Sequence, residues 1–186
     1  MKKKTATATP TYREEKLKEL AIHIAVKSQY DPSFGSVKLN KLLFYCDFRA
    51  FERFGKPITG VTYRKLEYGP CPSTMTRVKK ELWEEKAAVE QKTFLPGGFE
   101  QVRLLALRWP NLDAFSGQEI ALVDEVIEEF KALSATQISN KSHATIGWKL
   151  AQMGEDIPYE TALIPAMPLQ PSPDEVEYGK QLAAEL

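Results

Sequence analysis

Apolar side chains recur every three or four residues in several stretches of the chain, the spacing that buries one face of an α-helix. This pattern predicts helices over about residues 11–28, 36–55, 73–86 and 116–130, a short helix from 134 and a last one from 172. Over residues 89–107 it changes to two short strands around the turn residues Pro96, Gly97 and Gly98. We therefore predict an α+β fold, predominantly α-helical: a compact multi-helix domain with a small antiparallel β-hairpin or sheet.

Serine and threonine residues mark where these helices should begin, because their side chains can accept hydrogen bonds from the free N–H groups of a first turn. Gly55 should end the second helix in a left-handed conformation. The predicted N-caps are Thr11, Ser36, Ser73, Ser116, Ser134 and Ser172.

The second helix, in the stretch "KLNKLLFYCDFRAFERFG", contains two polar residues that break its pattern. Its polar stripe includes Lys38 and Lys41, and an apolar face lies opposite. Asn40 and Asp47 point into the middle of that apolar face. An unpaired carboxylate there would cost several kcal/mol or take up a proton. We therefore expect both residues to be largely buried, with Asp47 satisfied by a cation or by several hydrogen-bond donors from the corners at "YGPCP" and "SHATIGW".

The chain carries 25 basic and 25 acidic residues, but the charge is unevenly placed. From Glu155 onward seven acids stand against one base, Lys180, which gives this segment a net charge of −6 and the rest +6. We predict a flexible basic N-terminus at 1–10, a folded domain at 11–154, and a proline-rich acidic extension at 155–186 that ends in a short helix. The extension should contribute to binding, or to masking a basic surface of its own domain or of a partner, more than to the core.

Several features that the sequence lacks limit the cellular compartment and the chemistry that we expect for this protein. No apolar run is long enough to span a bilayer, and Cys46 and Cys71 form no CxxC motif, so we expect a soluble, cytoplasmic protein with no membrane partner. No Walker, GxGxxG or HExxH motif occurs. His23 is expected in the core, and a cysteine nucleophile paired with His143 has little support. We predict no enzymatic activity, no cofactor and no metal site.

Two stiff polar and aromatic corners stand out instead. "YGPCP" places Tyr68 beside Gly69, Pro70 and Pro72, and "SHATIGW" contains Ser142, His143 and Trp148. His143 could pair with Asp47, and Arg64 or Lys65 would serve as well. Each corner could anchor a binding surface or simply be a structural turn.

The ordered motifs "KLNKLLFYCDF", "ITG", "YRKLEYGPCP" and "SHATIGW" resemble those of the Panacea domain, the SocA-like antitoxin family that includes phage-associated proteins. The resemblance covers roughly residues 17–148. It implies a mainly helical domain with a small β element that neutralises a toxin by direct binding, and in some relatives delivers it to a protease. It further implies that the matching positions are hallmarks of the fold and of the neutralising surface: Leu39, Asn40, Lys41, Leu42, Leu43, Asp47, Tyr68, Gly69, Pro70, Pro72, Ser142, His143 and Trp148.

We therefore predict an antitoxin whose partner is a cognate toxin encoded by an adjacent gene, with a protease as a further partner if it acts as an adaptor. Tyr68 and Trp148 are the predicted aromatic anchors of the interface, with Arg64 as the charged neighbour. The alternative is a winged-helix-like DNA-binding protein, built from the helix at 73–86 and the hairpin after it. Residues 73–108 carry seven bases and five acids, a net of +2, which argues against nucleic-acid binding but leaves it open.

Overall fold

The computed structural model describes residues 10–95, 97–98, 100–165 and 172–184 of the chain. The predicted flexible N-terminus lies outside the described residues except for Pro10. Within the described part, helices dominate and the strands are few, so the predicted mainly helical α+β fold is confirmed. The helices are α1 (Glu14–Lys27), α2 (Ser36–Phe54), α3 (Met75–Glu84), α4 (Gly117–Phe130), α5 (Ala135–His143), α6 (Ile146–Leu150) and α7 (Pro173–Ala184), with 3₁₀ turns at Leu112–Ala114 and Tyr159–Leu163.

Helix α2 runs through the centre of the domain. It packs against α1, α4, α5, the second 3₁₀ turn and strands of both sheets. The core side chains around it include Leu39, Leu43 and Phe44, each at most 1% exposed. A helix covered on several sides buries polar as well as apolar positions, and Lys38 and Lys41 are only 1% and 2% exposed. The expectation that these lysines lie on a polar stripe opposite the buried face is therefore wrong.

Two small antiparallel sheets complete the fold in the described part of the chain. In the first, β1 (Tyr63–Arg64) lies between β2 (Cys71–Pro72) and β5 (Asp156–Ile157). Tyr63 stands opposite Pro72 on one side and Ile157 on the other. The second sheet is the hairpin of β3 (Ala88–Phe94) and β4 (Glu100–Ala106), paired from Ala88 with Ala106 to Phe94 with Glu100. The predicted hairpin is confirmed.

The predicted helix starts are correct where both partners of a capping box lie in the first turn of the helix itself. The capping boxes at Ser116 and Ser134 are both present, and Gly55 ends α2 with φ 71°. The predicted caps at Thr11, Ser36 and Ser73 are wrong: the N-caps there are Arg13, Gly35 and Thr74, and none makes a side-chain capping bond. Helix α7 begins at Pro173, directly after Ser172 as predicted.

The first part of the acidic segment belongs to the body of the domain. Ile157 and Tyr159 are 3% and 7% exposed, and the Tyr159 hydroxyl donates to the Val61 carbonyl at 2.6 Å. The Tyr159 ring lies 4.8 Å from the Phe48 ring, between centroids. The expectation that this segment contributes little to the core is therefore wrong for Ile157 and Tyr159.

Candidate partner-binding surface

Asp47 is fully buried beneath the segment that follows α2. One carboxylate oxygen accepts the Thr59 N–H at 2.7 Å. The other accepts the Thr59 hydroxyl and, at 2.8 Å, the Tyr63 hydroxyl. Three donors thus satisfy the carboxylate and tie the chain after α2 to the centre of the helix.

Burial and hydrogen bonding act on the Asp47 carboxyl in opposite directions. Burial is the larger cause and raises its pKa above the ordinary value, while the bonds from Thr59 and Tyr63 counteract the rise. The pKa of Tyr63 is raised well above its ordinary value, first by burial and then by the adjacent Asp47. The tyrosine therefore stays a neutral donor.

The hydrogen-bond donors to Asp47 do not come from the two corners, contrary to the expectation from the sequence. None of the three bonds comes from "YGPCP" or "SHATIGW": His143 stacks on Trp148, Arg64 pairs with Asp156 at 3.3 Å, and Lys65 donates to a backbone carbonyl. The proposed pairs of Asp47 with these residues are thus wrong. Sequence reasoning missed Thr59, although "ITG" was recognised as one of the ordered motifs.

The two corners are locked onto each other and onto α2. Lys41 Nζ donates to the Pro70 carbonyl at 2.9 Å, and Ser139 Oγ donates to the Tyr68 carbonyl at 3.1 Å. Gly69 has φ +95°, and a Cβ there would lie 2.5 Å from both Lys41 Cε and Ser142 Oγ. Glycine is thus required at this position, both by the backbone conformation and by the close packing.

Lys41 is buried, and few groups around it offset the cost of burying its positive charge. The Pro70 carbonyl is the hydrogen-bond acceptor found for its ammonium among the described residues. Burial lowers the pKa of Lys41 to about 8, and the nearby Cys71 opposes that shift. A substantial fraction of this lysine is therefore neutral just above physiological pH.

Trp148 lies between an imidazole and an ammonium. The His143 ring stacks on it with centroids 4.1 Å apart and planes at 17°, and Lys65 Nζ lies 3.9 Å from the Trp148 ring centroid. Because the imidazole covers one face, the ammonium must occupy the other. Burial, and then Lys41 and Lys65, lower the pKa of His143. The imidazole is therefore neutral at pH 7.

Several buried polar atoms in this region have no hydrogen-bond partner within the described part of the chain. They include Trp148 Nε1, His143 Nε2 and Asn40 Oδ1. Asn40 as a whole is mostly but not fully buried, and its Oδ1 is buried, which agrees with the expectation of a largely buried residue. Unpaired polar atoms of this kind are rare in folded proteins and mark the region as different from the core around Asp47.

Exposed apolar side chains border the two corners. We call Leu66, Tyr68, Leu150 and Met153 the corner surface; their exposed fractions are 42%, 65%, 69% and 62%. They are linked through Lys65, whose backbone bonds to Gly154 and Glu155 and whose ammonium donates to the Ala151 carbonyl at 2.9 Å. Of the two predicted anchors, Tyr68 is exposed here, whereas Trp148 is partly buried against the core.

Other chemistry finds little support in the described residues. Burial raises the pKa of both the Cys46 and the Cys71 thiols, which disfavours the nucleophilic thiolate. No group of three or more His, Cys, Asp and Glu side chains in this part of the chain is arranged to hold a metal ion. None of its helices has the length and apolar character needed to cross a bilayer.

A central helix, small sheets and two interlocked motif corners define a mainly helical α+β domain, and the comparison with known families specifies it. The family model of the SocA-like antitoxins, the Panacea domain, matches residues 39–149, more than half of the chain. The chain therefore belongs to the SocA-like antitoxin family. No curated protein and no solved structure is significantly similar to it.

Proposed function

We propose that this protein neutralises a toxin in the cytoplasm by forming a stoichiometric protein complex, and that it turns nothing over. The corner surface supports this proposal: it carries four exposed apolar side chains beside the "YGPCP" and "SHATIGW" corners, and two of them, Leu66 and Tyr68, lie within the family-matched residues 39–149. Exposed apolar groups clustered on a rigid scaffold are typical of protein-binding sites.

The rigidity of this surface also supports binding over catalysis. Lys41, Gly69 and Ser142 hold "YGPCP" against α5, so Tyr68 is presented without a large entropy cost on association. A stable interface needs about 800 Å² from each partner, more than the four side chains offer, so neighbouring polar groups must contribute to its rim.

The DNA-binding alternative has weaker support. The basic side chains that such a module would use on α3 and the hairpin already pair with other groups of the domain. The pairs are Arg77 with Glu14 and Glu81, Lys79 with Glu90, Lys80 with Glu84, Lys92 with Glu100, and Arg103 with the backbone carbonyls of residues 28, 29 and 31. Phosphate binding would have to compete with each of these contacts.

We further propose that the toxin is the product of an adjacent gene. Co-expression tests this: the adjacent product alone should arrest growth, and this chain should restore growth and co-purify with it at a fixed ratio. A harmless adjacent product, or a rescue achieved by catalytic amounts of this chain, would refute the proposal. A strain lacking its ATP-dependent proteases separates the two routes, because rescue by blocking persists there and rescue by delivery to a protease does not.

A further inference from the structure

Strand β3 has an open edge over most of its length. It pairs with β4 on one side, and its side chains from Glu90 to Phe94 are all exposed. Within the described residues, no element other than β4 forms a hydrogen bond to the backbone of β3. An uncovered strand edge of this kind is a template on which a further strand can pair.

The register of the hairpin shows which backbone groups of β3 face this open edge. The Leu107 N–H donates to the Ala87 carbonyl at 2.8 Å, and these two residues continue the pairing of Ala88 with Ala106. Hydrogen-bonded and non-hydrogen-bonded pairs alternate along an antiparallel ladder. The residues whose amide and carbonyl groups point away from β4 are therefore Ala88, Glu90, Lys92 and Phe94.

The charges on this edge are complementary to themselves. Side chains alternate between the two faces of a strand, so Glu90 and Lys92 lie on the same face, the one that carries α3. Glu90 pairs there with Lys79 of α3 at 2.7 Å, and Lys92 pairs with Glu100 of β4 at 3.0 Å. Opposite charges thus stand on either side of Gln91. A second antiparallel copy of β3 centred on Gln91 would bring an acid opposite a base at both places.

We propose that two copies of this chain pair through their β3 edges, antiparallel about a twofold axis at Gln91, and so join their hairpins into one continuous sheet. Glu90 of each copy then lies opposite Lys92 of the other. Charges alternate across the dimer from Lys79 and Glu90 of one copy to Lys92 and Glu100 of the other, so no ion pair within either copy has to break. Registers shifted by two residues place Glu90 opposite Glu90 or Lys92 opposite Lys92, and like charges directly opposite each other are destabilising. This inference goes beyond the proposed function and does not depend on it.

Two exposed aromatic rings supply apolar contact in this dimer. Phe94 stands opposite Ala88 of the second copy, beside the groove between α3 and β3 that Trp83 and Glu90 border. Phe94 and Trp83 are 75% and 63% exposed in the single chain. Each ring can add up to about 150 Å² of apolar area to the interface. Together with the strand edge they contribute to the roughly 800 Å² that a stable dimer needs from each copy.

Sedimentation velocity of the full chain at about 1 to 100 µM tests the proposal, and we expect a monomer–dimer equilibrium that shifts with concentration. Glu90→Lys and Lys92→Glu each place like charges opposite each other at two points of the dimer, and each should raise the dissociation constant at least about tenfold. An equimolar mixture of these two variants should return to within about threefold of the wild type, because one chain then offers two bases where the other offers two acids. Glu128→Lys, a charge reversal at an exposed position of α4, is the matched control and should dimerise as the wild type does.

A second variant tests the backbone pairing without relying on charge reversal. Lys92→Pro removes an N–H that points away from β4, so the hairpin ladder stays intact while the dimer loses its bonds at this position. Circular dichroism should show each variant folded, because exposed ion pairs contribute little to stability. We expect Lys92→Pro to be monomeric over the same concentrations.

Each other outcome overturns the inference. A wild type that stays monomeric over this range has no β3 dimer. A dimer unaffected by the charge reversals and by Lys92→Pro uses another surface. Two variants that stay monomeric when mixed exclude the register centred on Gln91. If the wild type is monomeric and the charge reversals weaken its binding to the toxin, a strand of the toxin occupies this edge, and the proposed neutralising function stands.

Discussion

Two buried charged residues on the same helix are treated very differently by this fold. Asp47 accepts three hydrogen bonds from Thr59 and Tyr63 in a core without solvent. Lys41, six residues earlier, donates to one carbonyl and lies near His143, whose Nε2 is unpaired in the described structure. Within the described residues, the Asp47 carboxylate has donors for both of its oxygens, whereas the polar groups around Lys41 lack part of their hydrogen-bond partners.

We propose that this difference separates residues that specify the fold from residues that prepare a binding surface. A carboxylate saturated by internal donors fixes the path of the chain after α2. A poorly compensated lysine that holds a turn in place, next to unpaired nitrogens and exposed apolar groups, is typical of a region where stability is sacrificed for binding. Mutation should therefore cost much more stability at Asp47 than at Lys41.

The largest effect is expected for Asp47→Ala. This change leaves the Thr59 N–H and two hydroxyls without their acceptor in the core, and we expect a loss of about 3 to 5 kcal/mol in the free energy of unfolding. Urea denaturation measures it. Asp47→Asn is the control: its carbonyl can still accept the N–H and its amide can donate to the rotated hydroxyls, so the loss should be smaller. A loss below about 1 kcal/mol for Asp47→Ala would contradict the structural role.

Gly69→Ala should have the next largest effect. The new Cβ would meet Lys41 Cε and Ser142 Oγ in a backbone conformation with φ +95°. We expect a loss of about 1 to 3 kcal/mol, together with weaker toxin binding because Tyr68 shifts. Gly98→Ala is the matched control, since its φ is also positive and nothing lies within 4 Å of its Cβ position. If both variants lose the same stability, strain in φ explains the effect and the close packing does not.

Lys41→Met should change stability by less than about 1 kcal/mol at pH 7, because losing the bond to Pro70 is offset by removing a buried charge. Its signature lies in pH dependence. Since burial lowers the folded-state pKa of Lys41 to about 8 from 10.5, the unfolded chain binds more protons between these values. Wild-type stability should therefore rise with pH across that window relative to Lys41→Met. Parallel pH profiles for the two proteins would show that Lys41 is compensated by groups outside the described contacts.

The smallest effect concerns His143. Its pKa is lowered below 6.5 in the folded state by burial and by Lys41 and Lys65, so the unfolded chain takes up the proton first as pH falls. The stabilising contribution of the neutral imidazole is present above pH 6.5 and is lost as pH drops through the folded pKa. Thermal melts between pH 5 and 8 should show a steeper acid-side decline for the wild type than for His143→Gln. An equal decline would place the loss in other groups.

The elements that the sequence predicted are those encoded locally. The capping boxes at Ser116 and Ser134 depend on residues three positions apart, and the hairpin joins two strands that follow each other directly across one turn; both predictions are correct. The start of α1 depends on a distant contact, the bond from the Arg13 N–H to the Thr59 carbonyl, and its predicted cap is wrong.

The candidate site was predicted in part for the same reason. The burial of Asp47 follows from helical periodicity, whereas its donors come from residues 12 and 16 positions away. Helical periodicity predicts Lys41 on the solvent-facing side of α2, because periodicity alone cannot show that α2 is covered on several sides. A tyrosine shortly after a recognised "ITG" motif is a signal that could have pointed to Tyr63.

Titration calorimetry of the purified protein against the toxin from the adjacent gene tests the central claim most directly. The wild type should bind with a fixed stoichiometry. Tyr68→Ala with Leu150→Ser should weaken the complex at least about tenfold without changing the melting temperature, because both side chains are exposed in the free protein. Unchanged affinity in this variant would contradict a corner surface that binds the toxin.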